Sequence, residues 1–261
     1  MRFFLIILAL ITFQTHPGSQ PSANEESFFL HNSDTKIRIA DTTSVSYLMG
    51  RFNPAKHPEF KKIDRKHCTR ENAYLRKEVY VAFKKMANEA AKAGIKLVIL
   101  SSTRNFKEQK RIWEGKWYKL VYKEQNGGQP LSNLEKAKQI LKFSSMPGTS
   151  RHHWGTDIDL NSLENAYFTR GQGKKEYQWL QANASRFGFC QPYTPKATGR
   201  TGYEEEKWHW SYQPLSDGFT LAAQKKLKDE MLKDFTGAET ATQIKMVKTY
   251  VLGISSECSK E

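Results

Sequence analysis

Two short polar segments constrain the fold of this chain more than any other feature, because their side chains form a useful site only if they meet at one point. The first runs from Ser150 to Asp159 and holds two histidines and two aspartates. The second runs from Glu206 to Trp210 and holds a glutamate and a histidine. A catalytic zinc ion uses three imidazole or carboxylate ligands and keeps a fourth position open for water. The two segments therefore predict one zinc site of the metallopeptidase kind.

The residue types suggest a role for each group. His152, Asp159 and His209 fit the three ligands, since two neutral imidazoles and one carboxylate bind zinc and leave it Lewis acidic. Glu206 precedes the third ligand closely, where it would accept a proton from the activated water and pass it to the departing amine. On residue type alone the adjacent His153 is an equally good ligand, so this choice between two histidines stays open.

Strand geometry adds a constraint on these segments. Side chains alternate between the two faces of a strand, so His152 and Asp159, an odd number of positions apart, would point in opposite directions on one straight strand. The chain must bend between them, and Gly155 is the residue that can adopt the required backbone conformation. Glu206 and His209 have the same parity problem, which predicts that the glutamate lies at a strand entrance.

The motifs resemble those of a known family, the zinc D-Ala-D-Ala carboxypeptidases of the VanY type, with the patterns S-x-H-x-x-G-x-A-x-D and E-x-W-H. The residues that match are Ser150, His152, Gly155 and Asp159 in the first pattern and Glu206, Trp208 and His209 in the second. An upstream run from Ser101 to Gln109 is similar to the family's serine, arginine, aromatic and glutamine run. The resemblance spans roughly residues 70 to 215. Two positions depart from it: Asp157 replaces a common alanine, and Thr103 replaces a common aromatic residue.

This resemblance implies an α+β fold with a small antiparallel sheet that carries the zinc site and packs against several helices. It implies one catalytic Zn²⁺ ion and, as substrates, peptidoglycan stem peptides from which a D,D-carboxypeptidase releases the terminal D-alanine. Arg104 would stabilise the transition state or the substrate carboxyl group. Gln109, Ser150 and Trp208 would line or support the substrate pocket. Asp157 would tune the site, orient a ligand imidazole or bind a substrate amine, and the sequence leaves these three roles open.

Three other functions fit parts of the pattern. The same family includes dipeptidases and endopeptidases whose zinc centres look alike. A binding module that retains zinc is disfavoured, because both Glu206 and Arg104 stand where catalysis needs them. A purely structural zinc site would need a fourth protein ligand, a place that only His153 or Asp157 would fill.

The start of the chain predicts its compartment. A basic residue precedes the apolar run from Phe3 to Phe13, which is typical of a secretory signal or N-terminal anchor over residues 1–23. The run is short for a membrane span. We therefore expect a secreted or periplasmic protein, in which residues 24–261 form a single peptidase domain with helices after residue 219.

Charge and cysteines support the same compartment. The 41 basic and 27 acidic residues give a net charge of +14, which favours anionic cell-wall polymers or membrane surfaces as partners rather than nucleic acid. The three cysteines allow one disulfide bond, for which we favour Cys190 with Cys258, although buried free thiols are equally ordinary.

Local patterns predict the elements around the motifs. Apolar residues from Leu75 to Ala90 recur at helical spacing, and the run 95–100 is typical of a buried strand. Asn105 and Ser132 each stand three residues before a glutamate, the capping-box signature of a helix start. A further helix is predicted over residues 177–187, with Gly188 at its end. Residues 192–202 are predicted to form a loop beside the pocket.

Overall fold

The computed structural model of the protein describes residues 34–259, so the predicted signal or anchor over residues 1–23 lies outside the described residues. The helices are α1 (34–42), α2 (Val45–Leu48), α3 (Lys77–Lys92), α4 (Phe106–Gln125), α5 (Asn133–Ile140), α6 (Gly171–Asn183), α7 (Gln213–Lys226) and α8 (Ala241–Ile244). The strands are β1 (Phe60–Lys62), β2 (Tyr74–Arg76), β3 (Ile99–Ser101), β4 (Asp157–Leu160), β5 (Phe189–Cys190) and β6 (His209–Tyr212). Short 3-10 turns join several of them. This is the expected α+β fold.

The strands form a two-stranded hairpin, β1–β2, and a four-stranded antiparallel sheet in the order β3-β4-β6-β5. In the larger sheet Asp159 is paired with Ser101 on one side and with His209 on the other. Asp157 is paired with Ser211. Paired residues project their side chains from the same face of a sheet, so this register alone gathers the polar residues of three strands.

Strand β4 has the sequence Asp-Ile-Asp-Leu, which alternates carboxylates with apolar residues. Its carboxylates share one face of the sheet, while Ile158 and Leu160 belong to an apolar cluster with α3 and α6. Both apolar side chains are fully buried, and each such burial contributes about 1.5–3 kcal/mol. A register slip of one residue would exchange the two faces, so apolar packing fixes which way the carboxylates point.

A second apolar cluster joins α4, α7 and the C-terminal segment, with Trp113, Trp117 and Phe219 among its buried members. The C-terminal segment is also attached covalently, since Cys190 of β5 forms a disulfide bond with Cys258. The favoured pairing is therefore confirmed. Cys68 is a buried free cysteine.

Both capping boxes are confirmed: the side chains of Asn105 and Ser132 accept from the backbone of the glutamate three residues on, and α4 and α5 follow directly. The helix predicted from residue 75 was wrong at its start, because Leu75 pairs with Lys61 in the β1–β2 hairpin and only then does α3 begin. A buried apolar residue at the end of an element fits either period, so spacing alone misassigned it.

Three other boundaries also differ. Only the end of the predicted strand 95–100 is a strand, although Ile95 and Leu97 are buried as expected. Helix α6 begins earlier than predicted, at Gly171, and Gly188 ends the following 3-10 turn with a φ of 82°. Helix α7 begins before residue 219 and has Pro214 in its first turn, where proline is well tolerated. Within residues 34–259, every helix is too short or too polar to cross a membrane.

Candidate active site

The two polar segments meet on the polar face of the larger sheet. His152, Asp159 and His209 each offer one ligand atom, and these atoms all lie within 4.8 Å of one another. Nε2 of His152 lies 3.3 Å from Oδ2 of Asp159, and Nδ1 of His209 lies 3.4 Å from Oδ1 of the same carboxylate. All three side chains are buried. The structure thus brings together the three residues predicted as ligands.

A sharp bend at Gly155 makes this meeting possible. His152 lies in a 3-10 turn, Arg151–Trp154, and Gly155 follows with a φ of 77°, in the left-handed region that favours glycine. Strand β4 then starts two residues later. The predicted break at Gly155 is confirmed, and it lets His152 and Asp159 point at one location despite their odd separation.

Each ligand imidazole is held by the nitrogen that faces away from the carboxylate. Nδ1 of His152 lies 2.9 Å from the carbonyl oxygen of Ser102. Nε2 of His209 lies 2.8 Å from Oδ2 of Asp157. A hydrogen on each of these outer nitrogens leaves the inner nitrogen with a lone pair for a metal ion.

Charge compensation dominates the electrostatics of the site. Burial would raise the pKa of Asp159, but the two nearby histidines and Arg104 lower it to about 2. Burial would lower the pKa of His209, but its hydrogen bonds to Asp157 and Glu206, together with the charge of Asp159, raise it to about 9. The carboxylates therefore place a strong negative potential at the point where the three ligand atoms converge.

The chemistry of this group fits a metal ion. Oδ1 of Asp159 is buried and has no hydrogen-bond partner among the described residues, although a buried carboxylate oxygen without a partner is costly. A cation bound by the inner nitrogens of the two imidazoles would satisfy that oxygen. Two nitrogens and one carboxylate form the ligand set of a hydrolytic zinc centre with an open position. By its geometry the site is a mononuclear metal centre of the metallohydrolase class.

His153 lies outside this group, which resolves the choice left open by the sequence. Its Nδ1 lies 2.6 Å from the carbonyl oxygen of Arg104, and its Nε2 accepts from the amide of Gly148 at 3.1 Å. Burial lowers the pKa of His153 to about 3, so the ring is neutral. With both nitrogens engaged, His153 links the backbone of Arg104 to the loop that precedes the metal segment.

Glu206 lies at the edge of the metal group, as predicted for a proton carrier. Its Oε2 is 3.1 Å from Nδ1 of His209, and its side chain is buried. Burial raises the pKa of Glu206 above its usual value. Its backbone lies just before β6 and is held by Tyr193 and Gln191, whose carbonyl and side-chain amide bond the Glu206 amide and carbonyl. The expectation that the glutamate precedes the strand is confirmed.

Arg104 follows β3 and reaches the opposite side of the group. Its NH1 lies 3.7 Å from Oδ2 of Asp159 and donates to Oγ of Ser101 at 2.7 Å, while its NH2 lies 3.5 Å from Oγ of Ser150. Burial lowers the pKa of Arg104 below its usual value, but arginine remains charged at physiological pH. A fixed cation therefore borders the metal group.

The other predicted pocket residues are mainly supports. Gln109 is almost fully buried, and its Nε2 donates to the carbonyl oxygen of Ser145 at 2.8 Å, so it holds the loop before the metal segment. Trp208 is buried, with its ring centroid 6.1 Å from that of the half-exposed Phe143. Ser150 touches Arg104 as described. The roles of all these residues in binding substrate stay predictions.

Sequence reasoning missed four residues around the site. Arg151 is a buried cation bonded to Asp157, and Ser211 bonds both members of that pair. The ring of Tyr193 packs edge-on against His209, with centroids 4.8 Å apart. Lys116 donates to Ser144 at 2.5 Å, and its pKa is lowered by burial while the charge of Glu206 opposes that shift. Only Arg151 had a signal, a charged residue inside a motif that is otherwise buried.

Comparison with known proteins identifies the family. The family model of VanY, D-alanyl-D-alanine carboxypeptidase, matches residues 72–215, more than half of the chain. A putative carboxypeptidase, YodJ, of Bacillus subtilis (strain 168) is 30% identical over 148 residues, which cover 54% of this chain and 47% of the relative. A D-alanyl-D-alanine carboxypeptidase of Enterococcus faecalis (strain ATCC 700802 / V583) is 31% identical over 125 residues, covering 48% and 43%.

Among solved structures, the vancomycin resistance D,D-pentapeptidase VanY in complex with Zn(II) is similar at 24% identity, with a TM-score of 0.48, over 69% of this chain and 93% of that one. The chain spans about half the length of the curated relatives it matches. Because the family model covers both metal segments and the Arg104 region, the chain belongs to the VanY D-alanyl-D-alanine carboxypeptidase family.

Proposed function

We propose that this protein is a zinc-dependent peptidase that releases the terminal D-alanine from peptidoglycan stem peptides. One observation carries the proposal: the inner nitrogens of His152 and His209 converge on Asp159, and Glu206 lies 3.1 Å from one of these nitrogens. Membership of the VanY family and the enterococcal relative named as a D-alanyl-D-alanine carboxypeptidase support the substrate class.

His152, Asp159 and His209 would hold one zinc ion, with one negative ligand leaving it a net positive charge. When bound, zinc supplies Lewis acidity that lowers the pKa of a water molecule and polarises a peptide carbonyl group. The protein's own residues supply the rest of the chemistry, since no side chain of the group is placed as a separate nucleophile.

Glu206 moves the proton. Its carboxylate accepts a proton from the attacking water and returns it to the amine of the departing D-alanine. Burial raises the pKa of Glu206, which brings its proton affinity closer to what an acid and base working near neutral pH requires. Its carboxylate oxygen next to His209 is already aimed at the metal group.

Arg104 supplies positive charge on the other side. Its guanidinium is anchored by Ser101, and its Nε has no hydrogen-bond partner among the described residues. A donor that is fixed but still available suits negative charge that develops on the scissile carbonyl oxygen, or the carboxylate of a terminal amino acid. A cation prepared in advance stabilises that charge without reorganising during the reaction.

We also propose that the protein acts outside the cytoplasm and is attracted to anionic cell-wall or membrane surfaces. The N-terminal apolar run supports export. The disulfide bond between Cys190 and Cys258 supports it independently, because such bonds persist mainly in oxidising compartments. The net charge of +14 supports the attraction to anionic surfaces. Intact mass measurement of the protein recovered from culture fractions would show whether the N-terminal segment is removed; full-length protein found only in the cytoplasm would contradict export.

The activity is tested with a muramyl pentapeptide and the zinc-loaded protein, followed by mass spectrometry. Loss of one alanine from the D-Ala-D-Ala peptide, without loss from a matched peptide that ends in L-alanine, is the expected result. The control variant Glu206→Gln keeps the three ligands, so it should retain zinc and lose roughly 10²–10⁴-fold in turnover. Release of a dipeptide, or cleavage only of crosslinked peptides, would replace the carboxypeptidase assignment with a dipeptidase or endopeptidase.

A further inference from the structure

Asp157 is the centre of a buried polar network beside the metal group. Its side chain is completely buried and accepts four hydrogen bonds. Oδ2 accepts from Nε of Arg151 at 3.1 Å and from Nε2 of His209 at 2.8 Å. Oδ1 accepts from Oγ of Ser211 at 2.9 Å and from Oγ1 of Thr156 at 2.6 Å. Such complete use of both carboxylate oxygens fixes the orientation of the group.

Arg151 compensates the charge of this carboxylate. Its side chain is also fully buried and spends its donors on the same network, with NH2 bonded to Ser211 at 2.9 Å and NH1 to Thr220 at 2.9 Å. Its guanidinium lies 4.7 Å from the ring centre of Trp154. The two buried charges therefore form one neutral unit, and either one alone would be a buried charge without a partner.

The network acts on His209 through the nitrogen that faces away from the metal group. Nδ1 of His209 faces Asp159, whereas Nε2 faces Asp157. When Nδ1 binds a metal ion, the hydrogen of the neutral ring must be on Nε2, and a carboxylate acceptor there favours this tautomer. With both nitrogens occupied, the ring cannot rotate about its Cβ–Cγ bond without losing a partner.

We propose that Asp157, together with Arg151, is a positioning residue that presents Nδ1 of His209 to the metal ion. This rests on the proposed function, because the ion is part of it. An alanine at position 157 would leave Nε2 of His209 without this acceptor and Arg151 without its counter-charge, so the two residues work only as a pair. The geometry excludes the two other roles that the sequence left open for Asp157, because a carboxylate with four intramolecular bonds has no oxygen left for a substrate amine or a second ion.

The test measures zinc affinity of the metal-free full-length protein by competition with a chromophoric chelator. Partners that orient metal-bound imidazoles typically contribute 10–100-fold in affinity. Asp157→Ala should therefore weaken zinc binding by roughly that factor and alter the visible absorption spectrum of the cobalt-substituted protein. Thr220→Val is the matched control, because it removes one hydrogen bond of Arg151 without touching His209; its affinity and spectrum should equal those of the wild type.

A second variant separates positioning from folding. Arg151→Met combined with Asp157→Ala removes both buried charges, so its melting temperature should exceed that of Asp157→Ala alone. Its zinc affinity should nevertheless stay 10–100-fold weak, because the acceptor for Nε2 of His209 is still absent. Affinity restored along with stability would show that Asp157 has only a structural role and would overturn the proposal. Wild-type affinity and an unchanged cobalt spectrum in Asp157→Ala would overturn it too, and would leave the proposed peptidase intact. A wild-type protein that binds no zinc would overturn both.

Discussion

The bend at Gly155 gives a prediction whose size can be worked out from the structure. A Cβ atom at this position would lie 2.4 Å from the ring of Phe60, which is itself held by Phe52 and His57 at centroid distances of 5.4 and 5.1 Å. Gly155→Ala therefore has two costs. The left-handed backbone costs about 1–2 kcal/mol for any residue with a Cβ atom, and forcing an extra methyl group into a packed region costs a further 1–3 kcal/mol or so. The free energy of unfolding should fall by about 2–5 kcal/mol.

Gly94→Ala isolates the first cost. Gly94 has a similar φ of 71°, but a Cβ atom there would meet nothing within 4 Å. Urea denaturation of the metal-free variants should show a loss of only about 1–2 kcal/mol for Gly94→Ala. Zinc affinity gives a second readout, since a shifted bend moves His152 away from Asp159: it should drop in Gly155→Ala and stay unchanged in Gly94→Ala. Equal losses of stability in the two variants would refute the argument from packing, and undiminished zinc affinity in Gly155→Ala would refute the claim that the bend sets the site.

Three further predictions follow from the site and the disulfide bond. Arg104→Ala should retain zinc but lose roughly 10²–10³-fold in kcat, as expected for a donor to developing negative charge; an unchanged rate would remove Arg104 from the chemistry. His209→Ala should lose both bound zinc, measured by elemental analysis, and peptidase activity; full zinc occupancy would disprove its role as a ligand. Cys190→Ala with Cys258→Ala opens a bond with a sequence separation of 68, which should cost about 4 kcal/mol of stability in urea by loop-closure entropy. Cys68→Ala is the control with the disulfide intact, and equal midpoints would contradict the estimate.

Much of the metal group could be predicted because its signals are local. The parity of His152 and Asp159 required a bend, and only one residue between them tolerates the left-handed backbone that the structure shows at Gly155. The capping boxes at Asn105 and Ser132 are equally local, since cap and partner are three residues apart. In both cases the physical cause lies within one or two turns of chain, where sequence spacing determines the geometry.

What the sequence did not reveal depends on pairing between distant segments. Ser211 reaches Asp157 because the register of β4 and β6 places them opposite each other, and no local pattern specifies that register. The same reason explains Leu75, whose strand exists only because a hairpin partner is available. Arg151 looks like a solvated surface residue until its buried counter-charge is known. Long-range pairing thus accounts both for the misplaced element boundary and for the missed network.

Strand β4 lies between β3 and β6, and all four of its residues are buried. A ligand residue on such a strand is displaced only when the strands around it separate, so occupancy of the site and integrity of the whole sheet are one equilibrium. If zinc binds the folded chain alone, free zinc at 1,000 times its dissociation constant adds about 4 kcal/mol to the free energy of unfolding. The supply of zinc in the surroundings would then set how long each molecule survives proteolysis, and a cell that starves for the metal would lose the protein as well as its activity.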